Sequence, residues 1–285
     1  IVVVPMTIYT VPASWSMTVG TNNDKTGYSL ASADLSKLMR YETITRIKTT
    51  DTAKTIIEGS SAGTLCILGP GTHALGNNQI TVPDGVSMWG CGVDVTTITT
   101  TYLSASNQIF KPGSNAEYHD FTFQTTNSTP GVTYDLAFGA TGTNSFTNTV
   151  VKNVRVKSHT DGIYISSSVP CSIKFENVAF ETEWDTCVIS GAAHVVTVDD
   201  VLLAAIENNS FHLINGTTVE SPAILKGDNL RVRQQAGGST STVIGISDSG
   251  ALYLTNSSVL FSGTASSVTS VSLSSPSTLV RGRPH

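Results

Sequence analysis

The chain has 285 residues, of which 39% are hydrophobic and only 13% charged, with a formal net charge of −5. So little charge with so much apolar content excludes disorder, and the absence of a basic excess argues against nucleic acid as a partner. Ser, Thr, Asn and Gly stand where a helical cytosolic enzyme carries Lys and Glu, which favours a stiff β-rich protein of a virion or an extracellular surface. No apolar run reaches the roughly 18 residues of a membrane span, so no membrane is expected.

Residues 1–58 read as an N-terminal arm and a short capping helix. The first 32 are polar around Tyr9, Trp15 and Tyr28. The opening Ile-Val-Val-Val-Pro lacks the basic flank and small-residue cleavage site of a secretory leader. Without an initiating Met, the chain reads as a processed product or a fragment. Leu35, Leu38 and Met39 fall at helical spacing behind Ser32 or Asp34, which predicts a helix within 33–58. That signal decays into the alternating Thr-Ile-Thr-Arg-Ile of 43–47. Such a helix would plug the open edge of a stacked sheet.

From 59 to 262 the chain repeats itself. It begins with an apolar strand, Thr64 to Leu68, a Gly69-Pro70-Gly71 turn and a second strand to Leu75. Ile80 to Gly92 follows, with Gly85, Gly90 and Gly92 where the backbone must turn sharply. Then a polar residue followed by apolar, variable, apolar recurs as Asp120 to Phe123, Asn153 to Val156, Asn177 to Phe180, Asp200 to Leu203 and Asn229 to Val232. A weaker copy runs from Ser258 to Phe261. A second register runs between them, led by Asp135, Asp161, Asp185 and Ser210. Both recur about every 25 residues, the signature of a stacked repeat.

Each unit holds period-2 strands and polar corners with no helix-length segment. The expected fold is therefore all-β, a single-stranded right-handed parallel β-helix. One coil cannot bury its inward Val, Ile and Phe alone, but coils stacked about 4.8 Å apart can. The leading Asn or Asp belongs at a corner, where it tolerates left-handed backbone. Residues 263–285 alternate at Val268, Val271 and Leu273 and read as a C-terminal strand and tail.

Four cysteines, Cys66, Cys91, Cys171 and Cys187, form no CxxC and no metal spacing. They read as small buried apolar residues, with Cys66 and Cys91 about one coil apart and so neighbours in the stack. Sequons at Asn127, Asn208, Asn215 and Asn256 are about what chance gives in such a composition.

Residues 64–98 resemble the opening coils of the pectate-lyase-like superfamily, especially its phage tail-spike form. The resemblance rests on Pro70-Gly71-Thr72, Ile80 through Pro83, Gly85-Val86 and Gly90-Cys91-Gly92. It implies the β-helix and a homotrimer, and it leaves activity open, because binding, hydrolytic and lytic members share that opening. The polygalacturonase-type catalytic set does not carry over. Arg46-Ile47-Lys48 precedes the expected β-helix, Asp200 of the Asp199-Asp200 pair falls in a corner slot, and neither Gly-His-Gly nor Asn-Thr-Asp occurs.

Chemistry, if present, is expected on the coils between 135 and 185. Glycoside hydrolysis needs two carboxylates roughly 5–10 Å apart, and equivalent positions on adjacent coils are about 4.8 Å apart. Asp161, Glu183 and Asp185 are the candidate catalytic acids. Asp135, His159 and Trp184 are the candidate substrate contacts, with Glu181 close by. The bland reading is a ladder of Asp residues capping turns. His119, His159, His194 and His212 are dispersed without ligand spacing, so neither a metal nor a cofactor is expected. Arg155, Lys157, Arg231 and Arg233 should point outward, as solvated charges or toward an acidic glycan or adjoining subunit.

The expectation is a tail-spike or fibre protein of a phage or virus-like particle. It would contact a host-surface polysaccharide and meet other virion or tail proteins through its N-terminal arm. The alternatives are a polysaccharide depolymerase, hydrolase or lyase, and a purely structural filament.

Overall fold

The computed structural model describes residues 16–18, 40–101, 108–126, 136–158, 161–182, 187–205, 213–216, 223–234, 241–248, 251–261, 268–273 and 278–281. Every strand pairing among them is parallel. The chain winds as a β-helix of about six turns with almost no helix.

Two sheets form the walls. The longer runs through Thr43–Ile47, Thr64–Leu68, Ser87–Trp89, Glu117–Thr125, Thr149–Ser158, Ser172–Thr182, Val195–Ala205, Ile224–Gln234, Ala251–Thr255 and Thr278–Arg281. The shorter runs through Ile80–Thr81, Gln108–Lys111, Leu136–Gly142, Asp161–Ser167, Cys187–Gly191, Leu213–Gly216, Ser241–Asp248 and Val268–Leu273. A coil crosses from one sheet to the other and returns, so sequence-distant residues become vertical neighbours.

The sequence alternation decides which side chains fill the interior. Phe121, Val154, Val178, Val201 and Leu230 form one inward column, and Phe123, Val156, Phe180, Leu203 and Val232 another. All ten are buried. Each contributes about 1.5–3 kcal/mol on burial. Phe110 and Phe138 stack face to face across the shorter sheet, centroids 4.5 Å apart and planes at 11°.

The polar residue that leads each unit bends the long strand. Asp120, Asn153, Asn177, Asp200 and Asn229 sit at φ of 62°, 50°, 51°, 52° and 49°. Left-handed backbone costs most L-residues about 1–2 kcal/mol, and Asn and Asp tolerate it best. The pairing registers place all five in one vertical file. Asn153 donates to Asp120 and Asn177 to Asn153, both at 2.9 Å. Asn229 donates to Asp200 at 3.0 Å. The next member is Asn256, at φ 46°. Arg231 pairs with Ser258, so the corner slot expected at Ser258 lies two residues earlier.

Two other expectations change. Thr43–Ile47 is a strand paired with Thr64–Leu68, so Arg46-Ile47-Lys48 adjoins the sheet wall instead of preceding it. Its Thr-Ile-Thr-Arg-Ile alternation decides the matter, and the helix among the described residues is Ala53–Glu58 alone. Residues 33–39 lie outside the described part. Cys66 pairs with Met88, not Cys91, and the Cys91 thiol instead donates to Leu68 O at 3.4 Å. No disulfide joins the four cysteines; three are buried and Cys91 is half-buried.

Gly90 shows why glycine marks these corners. A Cβ there would lie 2.2 Å from the Asp120 carbonyl oxygen. The backbone of one corner rests directly on the next.

Candidate functional site

The strand register places the sequence-predicted acids. Asp161 opens its strand and pairs with Leu136, so it does not share a slot with Asp135. Strand side chains alternate, and a slip of one residue reverses their direction. The expected Asp135–Asp161 equivalence is therefore corrected. Asp135, His159, Glu183, Trp184 and Asp185 lie outside the described residues, and only the backbone of Asp161 is described. Glu181 is described: it stands 3.6 Å from Arg155 Nε. Arg155 also grips both oxygens of Asp94, at 3.0 and 2.7 Å, so one guanidinium engages acids on either side of it. Arg231 likewise donates to Asp200 at 2.8 Å. These outward cations are tied into the wall by ion pairs.

A different constellation gathers on the outer face of the first coils. Register stacks Ile67, Trp89 and His119. Trp89 ends a three-residue strand and is 7% exposed. The His119 ring lies over it, centroids 5.2 Å apart and planes at 31°, and Tyr41 meets it edge-on at 5.9 Å. Arg40 crosses the Tyr41 ring at 5.0 Å and donates to its hydroxyl at 3.1 Å. The same guanidinium makes a two-pronged contact with Glu117, Nη1 to Oε1 at 2.7 Å and Nη2 to Oε2. His119 Nε2 lies 3.0 Å from Glu117 Oε2. The Trp89 indole N–H has no hydrogen-bond partner among the described residues.

Arg40, Tyr41 and Glu117 line a pocket of about 340 Å³ whose other polar walls are Ser87, Asn115 and Asn148, while Trp89 and His119 are not among its walls. Asn115 and Asn148 are a second pair of left-handed corner residues, at φ 53° and 54°, and Asn148 donates to Asn115 at 3.1 Å. The corner that turns the chain thus also presents amides to the pocket.

The electrostatics favour holding over proton transfer. Burial alone would push the Glu117 carboxyl up, but hydrogen bonds from His119 and Arg40, with the Arg40 charge, outweigh it and hold it at about 2. Such a group stays ionised and is a poor general acid at neutral pH, where an acid catalyst needs a raised value. Burial pushes the Tyr41 phenol up, so it stays protonated and can donate. Glu176, paired with Lys174 and Lys152, is also held below the carboxylate range. Among the described residues, no group of three His, Cys, Asp or Glu side chains is arranged to hold a metal.

This cluster has no mark of its own in the sequence, because Glu117-Tyr118-His119 looks like any alternating strand. The available signal was the preceding coil: Ser87-Met88-Trp89 aligned on it brings Trp89 against His119. Arg40, 77 residues from Glu117, gives no such signal. Comparison with protein-family models, curated proteins and solved structures returns no match for the chain.

Proposed function

We propose that this protein is a β-helical tail-spike or fibre component of a phage or virus-like particle that contacts a host-surface glycan without cleaving it. Its place would be the virion or an extracellular surface, with a homotrimer as the working form. The observation that carries the reading is the pocket beside Tyr41 and Glu117: an aromatic ring, amides and hydroxyls around a carboxylate held ionised. Sugars are gripped by such mixtures, with C–H faces against rings and hydroxyls against fixed donors and acceptors. A rigid stack of coils provides a preorganised wall on which little ordering entropy is lost on binding.

The test is a glycan array run beside a depolymerisation assay on the same purified protein. Binding without shortening of the polysaccharide is the expected result, weakened by Glu117→Gln. Shortening of the chain would replace this reading with the depolymerase, and Asp161→Asn and Asp185→Asn would then locate its acids. No binding to any glycan would leave a structural filament. Sedimentation at about 90 kDa, three times the 30.0 kDa chain, supports the trimer.

A further inference from the structure

A second groove, of about 250 Å³, lies on the other side of the corner that carries Asn115 and Asn148. Three successive coils build it. The first gives Pro83 and Asp84, the second Lys111 and Pro112, the third Asn144 and Ser145. Gly113 lets the first two close together: a Cβ there would lie 2.3 Å from Pro83 O. The floor is apolar, with Val82 and Phe146 buried beneath.

The groove holds one charge of each sign, Lys111 and Asp84. Elsewhere Arg40, Lys54, Lys152, Lys174, Arg155 and Arg231 each lie against an acid. Lys111 and Asp84 share one groove, yet neither makes an ion pair among the described residues. One Asp84 oxygen accepts from Ser114 N at 2.6 Å; the other has no partner among the described residues. Asn144 and Ser145 are exposed, and their side chains make no hydrogen bond among the described residues. The groove therefore offers an ammonium that only donates, a carboxylate oxygen that only accepts, and an amide and a hydroxyl that do both.

We propose that this groove is a subsite for a neutral pyranose, recognised through vicinal hydroxyls. A hydroxyl accepts from Lys111 and donates to Asp84 at the same time, which an anionic group cannot do. An anion would pair with Lys111 and be repelled by Asp84; a cation would do the reverse. The half-buried Pro83 ring gives the sugar's C–H face an apolar seat, with Pro112 buried at the groove wall. The volume falls below the ~300–1,000 Å³ of drug-sized pockets, which fits one ring contacted from one side. The site rests on the glycan-contact reading but uses none of the residues of the Tyr41 pocket.

Saturation-transfer NMR with methyl glycosides of glucose, galactose and mannose, and with glucuronate, tests it. Transfer to at least one neutral glycoside is expected. It should fall about tenfold in Lys111→Ala and in Asp84→Asn, and persist in Glu117→Gln. Asn at 84 keeps an acceptor for Ser114 N and removes only the charge, so thermal melting should match the parent. The proposal is overturned by an absence of transfer, by transfer that survives both substitutions, or by glucuronate binding that strengthens in Asp84→Asn. A positive glycan array with transfer that ignores both substitutions would sink the subsite and spare the proposed function. A negative array with Lys111-dependent transfer would do the opposite.

Discussion

Asn229 donates its side-chain amide to Asp200 across one coil boundary at 3.0 Å. Asn177, on the other side of Asp200, donates away from it to Asn153 at 2.9 Å. A carboxylate has no hydrogen to return, so the file of corner amides is interrupted at the Asn177–Asp200 step. Asp200→Asn supplies the missing donor at the loss of the Arg231 pair. That pair is half exposed, 50% and 44%, and such pairs contribute at most about 1 kcal/mol. Urea unfolding should find Asp200→Asn at least as stable as the parent, and Asp200→Ala lower by about 1–2 kcal/mol because Ala resists left-handed backbone. Equal losses in both variants would refute the ladder argument.

Glu117 sets a pH window. Its folded value is depressed from 4.5 to about 2. Its contribution is therefore complete above the ordinary value and is lost as pH falls through 4.5 toward 2. After solvent screening the effect is on the order of 1 kcal/mol. Chemical denaturation across that range should show a shallower pH slope in Glu117→Gln than in the parent; parallel slopes would mean that Arg40 and His119 do not stabilise the charge.

The thiols should react in a fixed order. Burial pushes Cys66 up to about 11 and raises Cys171 as well, while Cys91 alone is half-buried. The thiolate is the reactive form. A disulfide-exchange reagent should modify Cys91 first in the native protein and Cys66 and Cys171 only on unfolding. Rapid native labelling of Cys66 would contradict its packing.

Gly90→Ala should be among the most damaging single-methyl changes. The added carbon meets a backbone oxygen at 2.2 Å, which no side-chain rotation relieves. A loss of about 2–4 kcal/mol, or failure to fold, is expected from such overpacking. A melting temperature within a degree or two of the parent would show that the two corners can separate.

The repeat was legible because inward residues and corner residues answer to local rules. Val154 must face in, and Asn153 must turn the chain, whatever the ligand. Precision failed where a rule admits a slip. Ser258 resembles a corner leader, but only pairing reveals Asn256, and Asp135 resembles Asp161 until Leu136 takes its place in the register. The Tyr41 pocket was illegible for another reason. Its defining contact, Arg40 to Glu117, joins segments from different coils and leaves no period. Outer-face side chains carry no packing requirement that a sequence pattern could report, so a site there is written in contacts alone.

The parallel pairing has a mechanical consequence. Bonds between coils point along the long axis of the molecule, while the chain runs across it. A force that stretches the whole body must break every rung at one boundary together, which between Glu117–Thr125 and Thr149–Ser158 includes the Asn153–Asp120 amide and the Arg155–Asp94 bridge. A force on the chain ends peels one coil at a time. The molecule resists as a rod and yields as a thread, and pulling at engineered points on distant coils should rupture at far higher force than pulling at the termini.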